Sequence, residues 1–273
     1  MTDAIVVAAH PDDEVLGAST VLTSRTCTVA FATDGVPPLH PVLPVLASPT
    51  RPIRAWETPK QEGGRVGEAR AAHHALGARV DGYVRLGFGD QRVTEQVVEC
   101  AHALAEVVAA RDGADVFVPA YQRGHPDHDA VFVAAQLARA ELLHQQDQVD
   151  GRARRWFAYA LYGLDREGHQ RFGWLDPDYF THATSDGGSP AELERKAAAL
   201  RVFESQLPDE SVLAGWLADP VPESFATVPN IATPLPELRC FYEEVFEFSQ
   251  FGIDPVATDS TLRARLRGLS PRG

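Results

Sequence analysis

Residues 4–9 (AIVVAA) form an unbroken apolar run, the pattern of a strand buried on both faces of a parallel sheet. Residues 27–32 (CTVAFA), 83–86, 115–119 (DVFVP) and 156–162 (WFAYALY) repeat that signal down the chain. Between them lie stretches with helical spacing: 14–22, 66–76, 94–111 and 128–143. Gly77 is placed to end the second of these, and Thr94 is a candidate N-cap for the third. Strand and helix alternating over residues 4–165 predict an α/β fold with a mainly parallel sheet, in which ligands sit beyond the carboxyl ends of the strands. Ser189-Pro190-Ala191-Glu192 has the form of a capping box opening another helix.

Two stretches break the rhythm. Seven prolines between residues 37 and 59 exclude regular structure from most of a loop at 34–64, which is either a lid or a surface insertion. From residue 207 onward prolines again divide the chain into short segments. The expected organisation is an α/β core over 1–206 and a less regular extension, 207–273, packed on the same domain.

Charge narrows the partners. A formal net charge of −13 disfavours nucleic acid and anionic membrane, leaving a small neutral or cationic substrate. Cys27, Cys100 and Cys240 are odd in number and widely spaced, so they suit neither a disulfide framework nor a thiolate metal site. No apolar run is long enough for a membrane span or a signal core, and the expected location is cytoplasmic.

The chemistry gathers at two strand ends. His10-Pro11-Asp12-Asp13-Glu14 follows the first strand, and Gly124-His125-Pro126-Asp127-His128-Asp129 follows the fourth. Adjacent carboxylates and imidazoles at buried strand ends must be hydrated, paired or bound to an ion. Asp12 or Asp13 could instead cap the following helix, and the second motif could be a solvated turn. Taken together, nitrogen and carboxylate donors without thiolate suit a catalytic zinc with three protein ligands and one open position. His10, Asp13 and His128 complete such a set, and iron(II) could occupy it too.

These motifs resemble those of the LmbE-like, or PIG-L, deacetylases, and so do Thr33-Asp34-Gly35, Arg65 with Glu68, Leu86-Gly87-Phe88 with Asp90, and Lys196 followed by Ser205-Gln206. The resemblance implies a Rossmann-like sheet and a mononuclear zinc on His10, Asp13 and His128, acting on N-acetylglucosaminyl substrates. It implies Asp12 as general base, His125 as the protonated histidine that stabilises the oxyanion, and Asp127 as the carboxylate that tunes His125. Arg65 and Asp90 match positions that hold sugar hydroxyls. Some members carry a Tyr two residues before the first His of the second motif; here that position is Arg123, with Tyr121 two further back. Arg123 is a candidate substrate contact, taking over the carbonyl or binding an anionic group, unless it only faces solvent. The expected reaction is hydrolysis of an N-acetyl amino sugar to acetate and free amine, the amine taking its proton from Asp12 or His125. Removal of a larger acyl group, or a metal-bearing protein without catalysis, are the alternatives. His73, His74, His102 and His144 read as solvated helix residues, while His40 and Trp56 lie in the Pro-rich loop, Trp56 as a candidate for stacking on a sugar.

Overall fold

The structure is a computed structural model that describes residues 2–36, 64–146, 154–207, 212–238 and 255–267. Most of the Pro-rich loop, with His40 and Trp56, lies outside these residues, as do Cys240 and the side chain of His144.

Nine strands are present among the described residues: β1 (Ala4–Ala8), β2 (Cys27–Thr33), β3 (Val80–Phe88), β4 (Asp115–Pro119), β5 (Trp156–Tyr159), β6 (Tyr162–Leu164), β7 (Gln170–Phe172), β8 (Thr184–Asp186) and β9 (Glu223–Thr227). Seven form one sheet in the order β3-β2-β1-β4-β5-β9-β8. The first five run parallel, and β9 and β8 extend the sheet in antiparallel fashion. Helices α1 (Asp13–Ser24), α2 (Gly64–Leu76), α3 (Val97–Ala109), α4 (Pro126–Gln146), α5 (Pro190–Leu200), α6 (Val212–Ala218) and α7 (Pro255–Arg267) complete the fold. Because β1 is buried on both faces, Ile5 and Val7 serve one hydrophobic core while Ala4, Val6 and Ala8 serve the other.

The chain leaves β1 toward one edge of the sheet and β4 toward the other, so the strand order reverses between these neighbours. A crevice outside the carboxyl ends of such a pair is where this architecture binds ligands. His10 follows β1 and His125 follows β4.

Local chemistry accounts for most element ends. Ser189 caps α5 with the full capping box, Pro190 being its first residue. Gly77 stands at φ 75°, the left-handed position that ends α2. Two expectations need correction. Thr94 is not a helix N-cap: residues 93–96 form a 3₁₀ turn and α3 starts at Val97, because the Asp127 carboxylate accepts the Val93 N–H and folds that turn inward. The run 156–162 is two strands, not one. Ala160 still bonds to β9 through Ser224 O, but Leu161 donates to the Gln122 side chain, and Tyr162–Leu164 pairs with β7 outside the main sheet. After residue 207, β9 sits inside the main sheet and α7 packs on α4.

β9 also ties the sheet to the helices. Ala18 (φ −140°, ψ 27°) interrupts α1 and frees the N–H groups of Ser19 and Thr20. Glu223 accepts both, at 2.9 and 3.0 Å, and pairs with buried Lys196 at 2.8 Å.

Candidate active site

The two motifs meet. His10, His125 and His128 are all buried, with ring centroids 4.5–5.3 Å apart, and their donor atoms lie close enough to share one ion. Asp13 stands between two of them: Oδ2 is 3.5 Å from His10 Nδ1 and Oδ1 is 3.1 Å from His128 Nε2. Donors on a tetrahedral ion with bonds of about 2 Å are separated by roughly 3.3 Å, so these spacings fit such an ion. The second nitrogen of His10 faces carboxylates, Asp90 at 3.0 Å and Asp127 at 3.2 Å. Carboxylates only accept, so Nε2 carries a hydrogen, and Nδ1, on the Asp13 side, is the nitrogen that would face an ion there.

Neither aspartate of the first motif caps α1 through its side chain. Asp13 Oδ2 instead accepts the His10 backbone N–H at 2.8 Å. The Asp12 carboxylate pairs with Arg65 at 2.7 Å. Burial pushes the Asp12 carboxyl up to about 7, with Arg65 pulling back against it and Asp13 adding to it. Burial would also raise Asp13, but His128 and His10 outweigh it and hold Asp13 well below the usual carboxylate range.

α4 starts at Pro126, earlier than the apolar pattern indicates, which puts His125 at its N-terminus. Its Nδ1 accepts the backbone N–H of Asp127 at 3.1 Å, so Nε2 carries the ring hydrogen in the neutral form. Burial, with His10 and His128 packed beside it, pushes His125 well below its usual pKa. In this arrangement the ring offers an Nε2–H, whereas the resemblance implies an imidazolium. The Asp127 carboxylate, expected to tune His125, accepts the N–H groups of Gln91 (2.6 Å) and Val93 (3.1 Å) and faces His10.

A cavity of about 140 Å³ opens onto these groups, and Asp90 and Arg65 both line it. Arg65 is anchored on Gly35 O, Pro11 O and Asp12. Arg123 lies apart from the lining: its guanidinium donates to Leu238 O. Tyr121 is buried and donates its hydroxyl to Asp259. The aromatic at the site is Tyr162, whose ring meets His128 edge-on at 5.3 Å. Sequence reasoning missed it because it sits at the end of the aromatic run read as one strand. Leu16, Val212 and Leu213 give the cavity an apolar side.

An α/β protein with a buried histidine–carboxylate donor cluster at the switch point of its sheet is the class that fold and site define. Residues 5–138 match the family described as PIG-L, GlcNAc-PI de-N-acetylase. No curated protein matches it in sequence. Among solved structures it is similar to the zinc-inhibited form of a teicoplanin deacetylase, at 17% identity and TM-score 0.55, covering 82% of this chain and 97% of that one. The A40926 pseudoaglycone deacetylase is similar at 19% identity and TM-score 0.56, over 83% and 97% of the two chains. N,N′-diacetylchitobiose deacetylase from Pyrococcus horikoshii is similar at 16% identity and TM-score 0.50, over 79% and 74%. At these identities the likeness is one of fold.

Proposed function

We propose that this protein is a metal-dependent hydrolase that removes the acetyl group of an N-acetylglucosamine-type amino sugar or glycoconjugate. The observation that carries this reading is the convergence of His10, Asp13 and His128, at ligand-like spacing, beside the carboxylate of Asp12. These three residues would hold the ion, zinc by the character of the donors, with iron(II) as the other candidate. Such an ion supplies Lewis acidity, lowering the pKa of water toward about 7 and polarising a carbonyl. Asp12 accepts the proton of the attacking water, a task suited by a carboxyl near neutrality. The His125 Nε2–H donates to the oxyanion as the acetamide carbon becomes tetrahedral. The C–N bond then breaks, the water oxygen leaves in acetate, and the amine takes from Asp12 the proton that Asp12 received from the water. Asp90 and Arg65, on the cavity wall, are the contacts for sugar hydroxyls, each while keeping its hold on His10 or Asp12.

A cavity of this size takes an acetamide group more readily than a long acyl chain. The apolar side formed by Leu16, Val212 and Leu213 is what favours the second reading, removal of a larger acyl group. Acetate release from a panel of N-acetylglucosaminides, run beside their longer N-acyl analogues, tests both. Absence of turnover across the panel by metal-loaded protein would overturn the deacetylase reading.

A further inference from the structure

Asp12 occupies φ 151° and ψ −28°, a conformation that side-chain-bearing residues rarely adopt. Such backbone persists only where its surroundings over-determine it, and it clusters at functional sites. Here every polar group of the residue is tied. Its carbonyl accepts the N–H groups of Val15 (3.0 Å) and Leu16 (2.9 Å), its carboxylate accepts Arg65, and its N–H donates to Glu14 Oε2 at 3.1 Å.

The last tie leads away from the cavity. Glu14 is fully buried, and its other oxygen meets His73 Nε2 at 2.9 Å. His73 Nδ1 in turn meets the Tyr83 hydroxyl at 2.9 Å, the two rings lying within 10° of parallel. The Arg70 guanidinium covers the Tyr83 ring at 4.7 Å. Because Glu14 only accepts, His73 donates through Nε2 and receives the Tyr83 hydroxyl at Nδ1. His73 is thus a buried, doubly bonded residue and not the solvated one its helical position suggests. One helix, α2, grips Asp12 twice: Arg65 holds the carboxylate directly, and His73, eight residues on, holds the backbone N–H through Glu14.

We propose that Glu14 and His73 are positioning residues that clamp the Asp12 backbone and act on the reaction only through Asp12. The inference rests on the reading of Asp12 as the general base. It is tested with full-length, metal-loaded protein turning over an N-acetylglucosaminide, with kcat normalised to metal content. Glu14→Ala is expected to lower kcat by about 10–100-fold with KM nearly unchanged, the scale of a group misplaced by about an ångström. Glu14→Gln keeps an acceptor for the Asp12 N–H and should recover most of that loss. In an Asp12→Ala background, adding Glu14→Ala should change the residual rate no further. Wild-type kcat in Glu14→Ala, or the same fold-loss with and without Asp12, would overturn the clamp. His73→Leu, with the same expected non-additivity, replaces Glu14→Ala if the latter fails to fold. Amide exchange supplies a readout independent of turnover: the Asp12 N–H should exchange faster in Glu14→Ala, and unchanged exchange overturns the clamp. Full activity in Asp12→Asn, with faster exchange in Glu14→Ala, would instead remove the catalytic reading beneath it and leave the clamp itself standing.

Discussion

Asp127 holds two histidines at once: its backbone N–H donates to His125 Nδ1 at 3.1 Å, and its carboxylate faces His10 Nε2 at 3.2 Å. The first contact turns the His125 Nε2–H outward as a donor, and the second directs His10 Nδ1 toward Asp13. One residue at the start of α4 thereby sets the tautomers of two rings from different motifs.

This makes His125 a neutral hydrogen-bond donor. Its ¹⁵N resonances at pH 7 should report the Nε2–H tautomer, and a doubly protonated ring would contradict the arrangement. His125→Ala should lower kcat by about 10²–10³ with KM and metal content little changed, because an oxyanion donor acts only along the reaction path.

Gly124 links the second motif to Tyr162. A Cβ at residue 124 would lie 1.9 Å from the Tyr162 carbonyl oxygen, a backbone atom that cannot step aside cheaply. Gly124→Ala should cost about 1–3 kcal/mol through overpacking, lower Tm, and reduce kcat by moving Tyr162 off His128. Unchanged Tm and kcat would show that β6 is not held by this contact.

The parallel sheet was legible because double burial writes itself as unbroken apolar runs, and the two motifs because they follow such runs. What was illegible depended on side chains reaching across the fold. The Glu223 carboxylate that receives Ser19 and Thr20, more than 200 residues away, leaves no local pattern. The strand carrying Glu223 has polar ends and two prolines just before it, so the antiparallel extension of the sheet went unread. His73 looked solvated because its partners, Glu14 and Tyr83, belong to other elements. Arg123 aligned with a catalytic tyrosine position, but at φ 52° its backbone turns and its side chain reaches Leu238.

Asp115 offers a pH test far from the site. Burial would raise its pKa, but Arg155 and Arg25, at 2.5 and 2.6 Å, outweigh burial and hold it below the usual range. A carboxyl depressed in the folded state stabilises the protein fully above its unfolded pKa of about 4, and that stability is lost as pH falls through the folded value. The Tm gap between wild type and Asp115→Asn should therefore be larger at neutral pH than in acid, narrowing below about pH 4. Both arginines are partly exposed, so high salt should narrow it too. A gap that widens in acid would reverse the sign assigned here.

The sharpest prediction separates holding the ion from using it. His10, Asp13 and His128 are spaced as ligands, whereas the Asp12 carboxylate is bonded to Arg65. His128→Ala and Asp13→Ala should therefore lose both metal and activity. A chelator should lower the Tm of wild type, re-addition of zinc should restore it, and the shift should shrink or vanish in those two variants. Asp12→Asn should behave differently, keeping close to wild-type metal content and the chelator-sensitive Tm while kcat falls by about 10²–10⁴, the span of a lost general base. The amide can still receive Arg65 through its oxygen, so the fold around the site is preserved and the loss isolates basicity. An Asp12→Asn protein that has lost its metal would make Asp12 a ligand and exchange the roles of the two aspartates. One that keeps metal and full turnover would leave the attacking water without its base, and the hydrolytic mechanism argued from this site would fall.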